Sequence, residues 1–139
     1  MILLDTNVVS EPLKPRPEPA VLRWLDAQPF ETLFLPAVGL AELMFGVAVL
    51  PAGRRQRALQ TQLEQRVLAV FEQRILPFDA AAATAHAQLR VDAKSRGLAI
   101  SIVDGYIAAI ALAHRLTVAT RDTAPFAAAG LAVINPWTA

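Results

Sequence analysis

Short apolar runs alternate along this chain with longer stretches of helical period. Ile2-Leu3-Leu4, following Met1, predicts a brief strand buried on both faces, cut off by Asp5-Thr6-Asn7. Val8 to Leu13 predicts a short helix that stops before Pro15, and the run from Lys14 to Pro19 a stiff, extended connection. Glu18 to Gln28 reads as a helix with Val21, Leu22 and Leu25 on one face, and Thr32 to Leu35 as the second strand. Pro36 then suits the first turn of a helix through Leu50, where its missing amide is not needed. Leu59, Leu63, Val67, Val70 and Phe71 recur at helical spacing between Arg54 and Arg74, predicting one amphipathic helix. Ile75 to Phe78 is a third strand, and Asp79 caps an alanine-rich helix to about Ser95, with Gly97 as its stop. Ser101 opens a helix from Ile102 to Arg115 that is apolar nearly all round and therefore central. Leu116 to Ala119 is a buried strand, Phe126 starts a short turn, and Leu131 to Ile134 closes the sheet.

Strands alternating with helices in short units imply a parallel sheet covered on both faces. The expected fold is α/β, a three-layer α/β/α sandwich with a central, mainly parallel sheet of about four or five strands. All 139 residues fit one domain. Chemistry in such sheets gathers at the carboxyl ends of the strands, where Asp5 stands.

Composition narrows the classes. No cysteine is present, so disulfides and thiolate zinc sites are excluded. Asp5 interrupts the apolar run at the amino end, against a signal peptide. The stretch from Thr32 to Gly53 carries one charge, Glu42, but Pro36, Gly39, Gly46 and Pro51 break it, so it reads as strand plus buried helix, not a membrane span. A cytoplasmic protein is expected. The net charge of +1 carries no whole-chain nucleic-acid signal. With four of the twelve acids gathered in one site, however, thirteen Lys and Arg face eight acids elsewhere, a modestly basic exterior.

Asp5, Glu42 and Asp104 are each the only acid in a long apolar stretch, with no Lys or Arg at helical spacing. A buried carboxylate without such a partner needs hydrogen bonds, a bound cation or a proton. Plainer roles exist: Asp5 as a helix cap, Asp104 in a capping box with Ser101, Asp122 in a turn. Glu42, mid-helix on an apolar face, has none. In a parallel sheet Asp5 and Asp122 both follow strands, Asp104 begins a helix, and Glu42 lies one to two turns into the helix after the second strand. If the four converge, pairs at about 5 Å repel by roughly 3 kcal/mol at an effective dielectric of 20, so protons or a divalent cation must neutralise them. Oxygen donors alone point to Mg²⁺ or Mn²⁺. Other features have ordinary readings: His86 as a packing residue, the Arg54, Arg55, Arg57 cluster as solvated surface, Trp24 and Phe45 as core or partner surface. Gly39, Leu43 and Gly46 permit close approach of another helix, within the chain or across a dimer.

Read in order, LLDTNVVSEPLK, PAVGLAELMFGVAVLP, GLAISIVDGYIAAIALAH, VATRDTAPF and VINPW make this chain resemble the PIN-domain ribonucleases. More narrowly it is similar to the VapC toxins of bacterial toxin–antitoxin pairs, the FitB-like group especially. The resemblance covers nearly the whole chain and implies a PIN-like sandwich and a Mg²⁺- or Mn²⁺-dependent endoribonuclease hydrolysing RNA phosphodiester bonds. It implies that Asp5, Glu42, Asp104 and Asp122 form a catalytic acidic pocket. Asp5 and Asp104 would be the principal metal ligands, with Glu42 and Asp122 completing the site directly or through water. Thr6, Asn7 and Thr120 match positions that orient carboxylates or substrate, and Arg121, with Lys14 and Arg16, is a candidate RNA contact. A cognate antitoxin protein, a homodimer, and DNA reached only through the antitoxin are further implications. Two departures stand out. Thr120-Arg121-Asp122 replaces the usual Thr-Arg-Asn, and Pro125-Phe126 replaces Asp-Phe, so no fifth acid is assigned. Two competing readings are a non-catalytic binding and autoregulatory module, and phosphotransfer through Asp5. The latter lacks its usual companion acid, since Asn7 stands two residues on.

Overall fold

The computed structural model describes residues 1–139. Five strands form one all-parallel sheet: β1 (Ile2–Leu4), β2 (Leu33–Pro36), β3 (Ile75–Leu76), β4 (Thr117–Ala119) and β5 (Val133–Ile134). Their order is β3-β2-β1-β4-β5. The chain therefore winds outward from β1 in one direction, returns, and winds outward in the other. The reversal falls between β1 and β4, where ligands bind in open parallel sheets. The outermost strands, β3 and β5, have two residues each.

Alternate residues along each strand feed two separate cores. Ile2, Leu4, Leu33, Leu35 and Ala119 face one of them with Val21, Val47, Leu63, Val67 and Phe71. Leu3 and Val118 face the other with Ala82, Leu89, Phe126 and the run Ile107 to Ala111. Both faces are thus covered, as the unbroken apolar strands require. Helices α1 (Thr6–Ser10), α2 (Pro19–Ala27), α3 (Ala37–Ala48) and α4 (Arg54–Leu63) follow the first two strands, and α5 (Ala80–Ser95), α6 (Ile102–His114) and α7 (Ala124–Ala128) the later chain. Helix α5 begins where Asp79 accepts from the Ala82 N–H and ends at Gly97 in the left-handed region, with the Leu98 N–H reaching back to the Ala93 carbonyl.

Several expectations need correction. The first helix starts at Thr6, not Val8, because the Asp5 carboxylate caps it, and Glu11–Leu13 tightens into a 3₁₀ turn containing Pro12. Pro36 ends β2 and is the residue before α3, so its fixed φ serves the strand end. The expected helix from Arg54 to Arg74 is α-helical only to Leu63, then widens into a π-helix over Glu64–Leu68. Phe126 lies in a helix with Pro125 in its first turn, and is fully buried. Trp24 packs against the first core, whereas Phe45 is 67% exposed. His86 packs as expected, its ring 5.0 Å from Tyr106 and 5.8 Å from Phe78.

The two glycines of α3 differ. A Cβ on Gly39 would meet the Thr6 hydroxyl at 2.9 Å and Pro36 Cγ at 3.1 Å, whereas one on Gly46 meets nothing within 4 Å. The close approach is therefore internal, between α3 and the start of α1. Gly39→Ala should cost about 1–3 kcal/mol by overpacking. Gly46→Ala should gain about 0.5–1 kcal/mol from helix propensity. Urea denaturation midpoints check both, and equal effects would contradict this packing.

Candidate active site

The site is built outward from the ends of β1 and β4. Leu4 pairs with Ala119, and the Asp5 N–H donates to the Ala119 carbonyl at 3.0 Å, so Asp5 and Thr120 emerge side by side. Thr120 is fully buried, and its hydroxyl donates to Asp5 Oδ2 at 2.8 Å. Thr120 Oγ1 in turn accepts from Asn7 Nδ2 at 3.4 Å and from the Asp122 N–H at 3.1 Å. One donor and two acceptor positions are all a threonine hydroxyl has, so it is saturated. Asn7 Oδ1 accepts from the Arg121 N–H at 3.3 Å, tying the start of α1 to the loop after β4. Thr120 and Asn7 thus fix the acid and its surroundings.

Asp5 is 7% exposed. Burial, the largest influence, pushes its pKa up, since an ionised carboxylate loses water it cannot fully replace. The hydrogen bonds from Thr120 and the Thr6 N–H oppose the shift, and the negative charges of Asp104 and Glu42 add to it. These two acids therefore reach Asp5 electrostatically. Glu42, exposed on α3, is steered by the Thr6 hydroxyl, which lies 3.2 Å from its Oε1 and 3.4 Å from the Gly39 carbonyl. Asp104 sits in the first turn of α6. Its N–H donates to Ser101 Oγ, the N-terminal half of the capping box, leaving the Asp104 carboxylate to face the pocket charges. Asp122 joins through its backbone only; its side chain is exposed and is not among the groups that shift Asp5. None of these four acids has an ion pair; the one salt bridge in the chain joins Lys14 to Glu11.

Three carboxylates without a cation, one of them buried, suit a hard divalent ion, and no soft donor competes. As the side chains lie, no three acids or histidines are close enough together to hold one between them, so an ion here would keep several of its waters. Beside Glu42 opens a groove of about 720 Å³, lined among others by Thr6, Lys14, Arg55, Gln62 and Arg66. Arg121 is also exposed, its guanidinium 5.3 Å from the Trp137 ring centroid, and its charge reaches Glu11, the partner of Lys14.

Glu11 was not legible as a special residue. It is 5% exposed, its Oε2 lies 2.8 Å from Lys14 Nζ, and its Oε1 accepts from the Glu18 N–H at 3.1 Å. The hydrogen bond from Lys14 is the main cause of its lowered pKa. Its i,i+3 spacing from Lys14 was the one available signal.

The PIN domain family model matches residues 2–131. The chain belongs to the PIN domain family. It is 55% identical to the VapC ribonuclease Y4jK of Sinorhizobium fredii over 137 residues, covering 99% of this chain and 98% of that one. It is 53% identical to the toxin FitB of Neisseria gonorrhoeae, covering 99% of each. The crystal structure of FitAcB from Neisseria gonorrhoeae superposes with a TM-score of 0.96 at 52% identity, covering all of both chains.

The raised pKa gives a signed prediction. For a carboxyl whose folded pKa lies above its unfolded value of 3.8, the folded state holds the proton more tightly, so stability falls as pH rises through the interval between the two. Asp5→Asn should therefore raise Tm at pH 7, with a gain that shrinks as the pH is lowered towards the ordinary carboxylate range; a gain unchanged with pH would contradict the assignment. Thr120→Val, nearly the same shape, should cost about 1–3 kcal/mol by stranding its three partners, read by denaturant unfolding.

Proposed function

We propose that this chain is the toxin of a toxin–antitoxin pair and an endoribonuclease that hydrolyses RNA phosphodiester bonds at the pocket around Asp5. The observation that carries the reading is a buried carboxylate, raised in pKa and without a cation, facing the charges of Asp104 and Glu42 where the strand order reverses. Kinship over the whole length with a VapC ribonuclease and with toxin FitB supports both halves of it.

Asp5 and Asp104 are the principal ligands for Mg²⁺ or Mn²⁺, with Glu42 and Asp122 completing the set directly or through water. Such an ion, when bound, supplies a water of lowered pKa and neutralises charge on the phosphoryl oxygens. The chain does the rest. Thr120 and the Thr6 N–H hold both Asp5 oxygens in place, so the acid presents a fixed geometry. Glu42 or Asp122 orients the attacking water and takes its proton. Arg121, Lys14 and Arg16 contact RNA phosphates around the pocket. Asn7, bound to Thr120 and Arg121, leaves no companion acid for phosphotransfer through Asp5.

The partner is a cognate antitoxin protein, and DNA is reached only through it. A homodimer places Phe45, exposed one turn beyond Glu42, in an interface. No helix is long and apolar enough to cross a membrane, and the protein is assigned to the cytoplasm on its kinship.

Asp5→Asn and Asp104→Asn should each lower RNA cleavage at least about a hundredfold, as loss of a key electrostatic group does, while the folded far-UV spectrum is kept. The assay uses the chain freed of its antitoxin, with Mn²⁺ and mixed single-stranded RNAs. Mn²⁺ should raise the Tm of the unmodified chain but not of Asp5→Asn. Full activity in either variant, or activity undiminished in EDTA, refutes the proposal.

A further inference from the structure

Glu11, the buried half of the ion pair beside the pocket, has no part in the chemistry so far. Glu11 follows directly on α1, the helix that Asp5 caps, and its carboxylate is nearly sealed from solvent. Two groups hold it: the Glu18 N–H and the Lys14 ammonium. Lys14 and Glu18 bound the segment Lys14-Pro15-Arg16-Pro17-Glu18, so one side chain grips both ends of that turn. The Lys14 N–H also donates to the Glu11 carbonyl at 3.1 Å, closing the clasp.

Burying a carboxylate here makes sense only with its partner in place, since a buried charge left alone is strongly unfavourable. Lys14 is therefore held in position, unlike an ordinary surface lysine. Its side chain remains 54% exposed, and an ammonium has three N–H donors, so two are free after Glu11 is satisfied. Lys14 lines the groove that also holds Thr6 and Glu42. A preset donor beside an acidic pocket suits an anionic group that the pocket alone would repel.

We propose that Glu11 is a positioning residue for RNA cleavage: it fixes Lys14 and the proline-rich turn at the mouth of the pocket, where Lys14 grips a backbone phosphate next to the one being cut. The inference rests on the ribonuclease reading above. Because the pair is neutral overall, its contribution is a directed hydrogen bond and not a general positive field. That distinction separates it from a simple masking role, in which freeing Lys14 of its counter-charge would strengthen RNA binding.

The test measures binding of a fluorescent single-stranded RNA to the full chain carrying Asp5→Asn, and steady-state cleavage with Asp5 intact. Glu11→Gln, which keeps the acceptor for the Glu18 N–H, should weaken binding about fivefold, the size of one ordinary hydrogen bond. It should raise KM similarly and leave kcat within about twofold. Lys14→Gln should do the same, and the double variant should be no worse than either, since the two act as one unit. Lys14→Gln leaves the buried Glu11 carboxylate without its counter-charge, so if that variant fails to fold, the double variant, which leaves no buried charge, decides. Tighter RNA binding with steeper salt dependence in Glu11→Gln means masking and overturns the proposal. So does an unchanged KM in Lys14→Gln. Absence of any RNA binding or cleavage by the unmodified chain overturns the ribonuclease reading and this inference with it; cleavage lost in Asp5→Asn but unmoved KM in both variants here overturns this inference alone.

Discussion

One hydrogen bond, from the buried Thr120 hydroxyl to the Asp5 carboxylate, sets the terms for the whole site. It spans the reversal point of the sheet and joins residues separated by most of the chain. Without it, an acid so deeply placed would have only the Thr6 N–H for company. Even with both bonds, loss of water outweighs them, and the charge at Asp5 stays unfavourable. The fold thus keeps a carboxylate under electrostatic tension in a place where it is rigid. Such tension is relieved by positive charge and by little else.

The neighbours that increase this tension come from different layers. Asp5 ends the sheet, Glu42 belongs to α3, whose Leu40, Leu43 and Val47 pack on the first core, and Asp104 belongs to α6, the centre of the second. The pocket therefore forms only when both cores are assembled on their shared sheet. Gly39 brings α3 near enough for Thr6 to steer Glu42, and Ser101 begins α6 at the turn that carries Asp104. Packing and charge are linked at these two residues.

Much of this was legible from the pattern of residues, and the failures have physical causes. Three apolar residues ending at Asp5, and Leu116 to Ala119 ending at Thr120, marked the central strands because buried parallel strands leave no room for polar alternation. The isolation of Asp5 in an apolar stretch marked it as a buried acid in need of neutralisation; Glu42, from an equally apolar stretch, is instead exposed, and Asp104 is half-buried. What periodicity does not encode is backbone detail. Leu63 and Val67 keep their burial although the helix carrying them widens, with the Ala69 N–H bonding to the Glu64 carbonyl, and Phe71 is buried beyond the helix end at Leu68. Asp122 follows a strand as expected, yet chain position says nothing of where its carboxylate points. Glu11 was hidden because its burial depends on the proline-rich turn that folds back to bring Lys14 and Glu18 onto it, and an i,i+3 pair with Lys14 alone does not imply burial.

The brevity of β3 and β5 has a consequence for how copies of the chain meet. A sheet with open margins invites strand-by-strand growth into aggregates, a hazard for any molecule this rich in apolar residues. Here each margin offers only two residues, and each strand is followed closely by a proline, Pro77 or Pro136. Recruitment through backbone pairing is thereby blocked on both flanks. Association must proceed through side chains on helical faces, where shape and charge discriminate between a proper partner and an accidental one.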